Sequence, residues 1–190
     1  MTAAPSTPWS VTLDYSHDVA LALAVRDAFG YPDPFGLPPV DPPVALELRR
    51  EEHHDPVIAE QWRTWWERAM AAPTHQSQLA RTLDGPLGVV IHRNSAALLA
   101  WRSARKRELA RLSRPAPGRQ PIRLADAIRD HSRQTGTQFS EFHLTITAIP
   151  AGEACFQPIR DDVIAASIEL IRDRGAYVAE IIEHLVRRQA

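Results

Sequence analysis

The sequence predicts an α+β fold: a small antiparallel β-sheet, made of a C-terminal three-strand meander plus one or two N-terminal strands, packed against about five helices. Three observations predict it. Residues 140–148 alternate without a break, Phe142, Leu144, Ile146 and Ala148 against Glu141, His143, Thr145 and Thr147, which is the period of a strand with one buried face. Val178, Ile181, Ile182 and Leu185 fall at i, i+3, i+4 and i+7, the apolar stripe of an amphipathic helix. The turns between the C-terminal segments are short, which favours a meander with the helix on its apolar face.

Within the meander, Pro150 to Glu153 supply a turn in which Gly152 is free to take a positive φ. Ala154 to Ile159 is a second strand, and Pro158, with no N–H to donate, places it at an edge or a bulge. Val163 to Ile171 reads as the third strand, with Ile164, Ala166, Ile168 and Leu170 on one face. Asp173 caps the final helix.

The front of the chain is less regular. Residues 1–8 are Pro, Ser, Thr and Ala rich and expected to be a disordered tail, with a single domain over 9–190. Trp9 to Tyr15 is a short strand or a helix entry. Ser16 or Asp14 caps a helix ending at Phe29, where Gly30 stops it; its stripe of Val19, Ala22 and Leu23 fades at Arg26. Tyr31 to Pro43 holds six prolines in thirteen residues, so it is neither helix nor central strand but a loop over the surface. Val44 to Leu48 alternates as a short strand would, with a helical reading through Glu52 competing. Asp55 and Pro56 open a helix to about Ala72 that carries Ile58, Trp62, Trp65, Trp66 and Ala69 at helical spacing. A short helix over 76–83, a turn at Asp84-Gly85 and a strand or helix entry over 87–92 follow. Ser95 to Ser113 is a long basic helix, 115–121 a linker, and Leu124 to Gln134 a further helix.

Composition narrows the function classes. At 44% hydrophobic and 24% charged residues the chain reads as an ordinary globular protein rather than a disordered or fibrous one. It has no apolar run long enough to span a bilayer, so no membrane partner is expected. There is no secretory leader pattern, and the lone Cys155 cannot close an internal disulfide; both favour a cytoplasmic protein. Lys106 stands alone among 21 arginines, a bias that fits a GC-rich, bacterial genome. Charge is segregated: ten acids against three arginines in 1–60, and nine basic residues against one acid in 93–123.

Three constellations are candidate sites. On the basic helix, Arg102, Arg105, Lys106, Arg107, Arg111 and Arg114 form a charged face for an acidic protein partner or, less favoured at a pI near 6.7, for nucleic acid. Trp62, Trp65 and Trp66 are a possible stacking or partner surface, against the simpler reading that a Trp stripe is core. His53, His54 and Asp55, beside Glu51 and Glu52, are possible metal ligands, with Glu60, His75 or His92 completing a set around His54. No metal-protease or His-x-His spacing is present, and a polar helix start explains the cluster more simply. The polar sheet face offers His143 and Glu169 for acid–base work beside Thr145, Gln157 and Ser167, against the commoner solvated surface.

No glycine-rich phosphate loop and no nucleophile-elbow serine is present, so no cofactor is expected. The first functional expectation is therefore a non-enzymatic protein-binding module, of adaptor, immunity or antitoxin type. The alternatives are a metal-dependent or acid–base hydrolase, and nucleic-acid binding through helix 95–113.

Overall fold

The structure is a computed structural model that describes residues 9–71, 79–112, 124–137, 139 and 141–188. The expected tail 1–8 and linker 115–121 lie outside the described residues, as do His75 and Arg114. The architecture is α+β. Strand β1 (Trp9–Asp14) leads into helix α1 (His17–Phe29). Ser16 caps that helix by accepting the Val19 N–H, and Gly30 ends it in the left-handed region at φ 70°, where a side chain would be strained. The apolar stripe of α1 does not fade. Val19 to Val25 are all buried, and so is Arg26, so α1 runs through the interior.

Arg26 explains how the Pro-rich segment is held. Its guanidinium reaches Asp27 at 2.6 Å and Asp33 at 2.5 Å, and donates to the Leu37 and Pro38 carbonyls at 2.9 Å each. The Asp27 carboxylate accepts the Val40 N–H in turn. Residues 31–43 are thus an ordered loop laid over the helices, with Leu37 and Val40 buried and Tyr31 tilted against Trp62.

Val44 to Leu48 forms no strand. Its alternation is real, since Val44, Leu46 and Leu48 are half-buried and Ala45 and Glu47 exposed. Among the described residues no strand pairs with it; the Asn94 side chain takes that role. It accepts from Glu47 N–H at 2.7 Å and donates to the Glu47 carbonyl at 3.3 Å. Helices α2 (Pro56–Ala71), α3 (Gly85–Arg93), α4 (Ser95–Leu112) and α5 (Leu124–Thr135) follow, with short 3-10 turns at Glu52–His54 and Leu79–Thr82. Asp55 caps α2 through the Val57 N–H, as the Asp-Pro pair predicts. Residues 87–92 lie in α3.

The sheet comprises β1, β2 (Phe142–Ile149), β3 (Phe156–Arg160) and β4 (Val163–Ser167) in the order β1-β2-β4-β3. It is mixed, not antiparallel as expected. β1 runs parallel to β2, β2 parallel to β4, and only β3 runs antiparallel to its neighbour β4. The cause lies in the connection after β2, which the Pro-rich loop holds. Asp41 N–H donates to the Pro150 carbonyl at 2.8 Å, Gly152 N–H donates to Pro39 at 3.1 Å, and Val40 bridges Ala151. The chain is thereby carried one strand position sideways, and β4 returns into the gap. Gly152 has no positive φ; it supplies room, because a Cβ there would stand 2.8 Å from the Asp41 Cβ. At the edge, β3 shifts register between Pro158 and Arg160, as the proline suggested.

The third strand also ends early. β4 stops at Ser167, whose hydroxyl accepts the Leu170 N–H at 3.0 Å and starts helix α6 (Ile168–Arg172). All five β4 residues are buried, as suits a strand covered on both faces. Asp173 then caps α7 (Arg174–Arg187) through the Gly175 and Ala176 N–H groups. α7 packs on the sheet face of Phe156, where the His184 ring meets that phenyl edge-on. Phe139 joins His131 of α5 to Phe142 on the same face. Helices α1 to α4 pack on one another as a separate helical layer.

Candidate functional site

α4 is built almost wholly from strong helix formers, Ala, Leu, Arg, Lys and Glu. Leu98, Trp101 and Leu109 form its buried side. Trp101 Nε1 donates to the Pro42 carbonyl at 2.7 Å, and Arg105 donates to the Asp41 carbonyl at 3.3 Å, so α4 is locked onto the Pro-rich loop. Arg105 also pairs with Glu108 at 2.8 Å, and Glu108 pairs with Arg172 of α6. Arg105 is therefore a structural residue, not a free binding cation.

The remaining cations face elsewhere. Lys106, Arg107 and Arg111 are exposed. Arg107 Nε donates to the Ser103 carbonyl of its own helix at 3.2 Å, and none of the three meets a carboxylate among the described residues. Arg102, half-buried, borders a cavity of about 330 Å³ between α1, the 79–82 turn, α3 and α4.

The walls of that cavity are mostly apolar, with Leu21 from α1, Leu83, Ile91 from α3, and Leu98 and Leu99 from α4, joined by the polar His92 and Ser95. Three features of the sequence shape it. Asp18 is buried and accepts the Ala80 N–H at 2.8 Å, which fixes the 79–82 turn against α1. Gly88 lets α3 approach closely, since a Cβ there would lie 2.1 Å from the Leu83 carbonyl oxygen. Leu99, apolar but 46% exposed, lines it as well.

Polar groups gather at the Arg102 end. His17 lies one helical turn before Leu21 on α1, and Arg102 one turn after Leu98 on α4. Burial lowers the basicity of His17, and the nearby Arg102 and Lys106 charges lower it further. Tyr15 is 4% exposed, and burial pushes its phenol up against the opposing pull of Arg102 and Arg105. The Tyr15 hydroxyl, His17 Nε2 and Arg105 Nε are all inaccessible and have no hydrogen-bond partner among the described residues.

The other sequence candidates do not come together. Trp62, Trp65 and Trp66 are buried at 4%, 1% and 1% exposure, so they are core and offer no partner surface. Trp62 Nε1 donates to the Ala22 carbonyl, tying α2 to α1. His53 and His54 sit exposed in the 3-10 turn before α2, with ring centroids 6.5 Å apart, and Asp55 is engaged at the α2 N-terminus. Glu60 pairs with Arg63, His92 lines the cavity wall, and among the described residues no three His, Cys, Asp or Glu side chains form a metal-binding group.

His143 and Glu169 are separated. His143 lies at the start of β2, where Nδ1 and the Ser10 hydroxyl share a hydrogen bond of 2.8 Å. Glu169 lies in α6, beyond the end of β4, and pairs with Arg172. The register pairs Ile149 with Ser167, so the two sites are the length of β2 apart, about 20 Å.

Tyr15 and His17 were not singled out by the sequence reading. The available signal was weak: an aromatic and a histidine flanking an N-cap serine, directly after a strand. Among the described residues no helix is long and apolar enough to cross a membrane. In comparisons with protein-family models, curated proteins and solved structures, the chain matches none.

Proposed function

We propose that the protein is a non-enzymatic binding module whose contact surface is the outer edge of α4, and that its partner is a protein bearing an acidic segment. One observation carries this reading. Lys106, Arg107 and Arg111 stand exposed on a firmly anchored helix with no carboxylate partner among the described residues, whereas Arg26, Arg93, Arg105 and Arg172 are all paired. A rigid row of uncompensated cations favours encounter with an acidic surface and fixes its orientation. Nucleic acid is the weaker fit, because duplex recognition draws on many phosphate contacts and a strongly basic domain, while this chain carries a net charge of −1. The hydrolase reading draws less support, because its candidate pair, His143 and Glu169, lies at opposite ends of β2. We place the module in the bacterial cytoplasm on the lone cysteine and the arginine bias.

The test measures binding of a fluorescent oligoglutamate peptide, and of a DNA duplex of matching charge, by anisotropy at several salt concentrations. The peptide is expected to bind more tightly than the duplex, and Arg107→Glu with Arg111→Glu to weaken it at least tenfold. Tighter duplex binding, or a charge-reversed variant that binds the peptide as well as the parent does, overturns the proposal.

A further inference from the structure

We infer that the cavity between α1, α3 and α4 is a binding site for a small amphipathic carboxylate, with its hydrocarbon chain between Leu21, Leu83, Ile91 and Leu98 and its carboxylate on Arg102. This goes beyond the docking reading and does not depend on it: Lys106 stands near both surfaces, but the cavity turns on Arg102, which lines it, and the docking edge on Arg107 and Arg111, which do not.

The cavity has the size and lining of a small-molecule site: about 330 Å³, mostly apolar, with few polar groups. Arg102 stands at one end of the α4 wall and Ser95 at the other, with His92 also in the lining. α1 and α4 place Leu21 and Leu98 along the middle, and His17 and Arg102 one turn further on, at the same end. Lys106 adds a second cation there. Of the nearby carboxylates, Asp18 is buried and accepts the Ala80 N–H, Glu108 pairs with Arg105 and Arg172, and Asp14 accepts the Tyr15 N–H. Arg102 meets no carboxylate among the described residues.

The second line of argument is polar satisfaction. Buried polar atoms are nearly always hydrogen-bonded, and those that are not call for a cause such as strain, a functional role or a bound water or ion. Here three coincide beside one cation: the Tyr15 hydroxyl, His17 Nε2 and Arg105 Nε. Tyr15 is more than nine-tenths buried, and the charges acting on its hydroxyl are Arg102, Arg105 and Glu108. A carboxylate in the cavity meets Arg102, which lines it, while Tyr15, His17 and Arg105 stand near that cation but outside the lining. An alcohol or an amine of the same length supplies no matching charge.

The length of the site limits the ligand. Ser95 and Arg102 both line the cavity and stand seven residues apart on α4, roughly 10 Å along its axis. That span suits a medium-chain fatty acid rather than acetate or a long-chain one.

The experiment is calorimetric titration of the full chain with octanoate, octanol and acetate. Octanoate is expected to bind saturably at one site, with octanol and acetate at least tenfold weaker. Arg102→Met removes the charge while keeping an apolar stem, and is expected to weaken octanoate at least tenfold, the loss of one charge-assisted contact. Leu99→Glu puts a carboxylate at the rim, on a residue exposed enough to leave folding intact, and is expected to abolish octanoate binding. Arg107→Glu with Arg111→Glu is expected to leave octanoate binding unchanged, which separates this site from the docking edge. Absence of saturable binding up to about 1 mM, the weakest affinity a built site of this kind would show, overturns the inference. So does equal binding of octanol, or an unchanged affinity in Arg102→Met.

Discussion

Arg26 and Asp33 meet at 2.5 Å with both side chains nearly inaccessible, and this contact joins the central helix to the Pro-rich loop. Asp27 and two loop carbonyls complete the guanidinium's partners. Removing one side of a buried, fully hydrogen-bonded pair strands the other. Arg26→Met is therefore expected to lower unfolding free energy by about 3–5 kcal/mol. The exposed pair Arg63–Glu60 is the control, and Arg63→Met should cost less than about 1 kcal/mol. Urea unfolding of the two variants checks the contrast; equal shifts in midpoint would refute the role assigned to Arg26.

Glu52 and Arg93 give a pH-dependent contribution. The two Arg93 nitrogens grip the Glu52 carboxylate at 3.0 and 2.5 Å, and this hydrogen bonding holds its pKa at about 2, against an ordinary value of 4.5. The folded-state pKa is the lower one. The stabilisation is thus fully present above pH 4.5 and is lost as pH falls from there towards about 2. Glu52→Gln should be less stable than the parent at neutral pH, and the difference should narrow across that window. Urea midpoints measured from pH 7 to pH 2.5 would show it, and a gap that does not narrow on acidification would contradict the assignment.

Much of the fold was legible where local chemistry decides structure. Ser16, Gly30, Asp55 and Asp173 all act at helix ends, and Pro158 sits on the edge strand. The failures arose where distant partners decide. Strand direction was misread because Asp41 and Pro39, far back in the chain, take the backbone groups of Pro150 and Gly152. Leu170 looked like strand because its apolar run continues past Ser167, and only the Ser167 hydroxyl ends β4. Val44 to Leu48 alternated like a strand, but its partner is the Asn94 side chain. Of the candidate site, Arg102 and Lys106 could be picked out by charge. Their position beside Tyr15 and His17 depends on how α1 packs on α4, and no local pattern encodes that.

The tryptophans of α2 offer a test of packing against hydrogen bonding. Trp62 and Trp66 stack with ring centroids 6.0 Å apart, and both are buried. They differ at the indole nitrogen. Trp62 Nε1 donates to the Ala22 carbonyl at 2.9 Å, whereas Trp66 Nε1 is buried with no partner. Replacing each by Phe removes the same volume. Trp62→Phe also removes a buried hydrogen bond, though the Ala22 carbonyl keeps its helical partner within α1, while Trp66→Phe deletes an unsatisfied donor. Trp62→Phe should therefore cost more than Trp66→Phe, by about 0.5–1.5 kcal/mol. Chemical denaturation followed by circular dichroism would rank them, and the reverse order would show that packing alone sets the cost.

Two glycines should respond oppositely to alanine. At Gly152 a Cβ would lie 2.8 Å from the Asp41 Cβ, in the segment that the Pro39 and Asp41 backbones clamp to the end of β2. Neither side can withdraw without breaking that clamp, so Gly152→Ala should destabilise by about 1–3 kcal/mol. Gly175 sits in the first turn of α7, where its nearest neighbour to a new Cβ is the capping Asp173 oxygen at 3.5 Å, an ordinary contact. Alanine there restricts the unfolded chain and fits the helix, so Gly175→Ala should stabilise by about 0.4–1 kcal/mol. Thermal melts of the two variants decide the matter. A neutral Gly152→Ala would mean that the 150–155 connection yields to the added methyl, and that something other than the Pro-rich loop carries the chain sideways to let β4 insert beside β2.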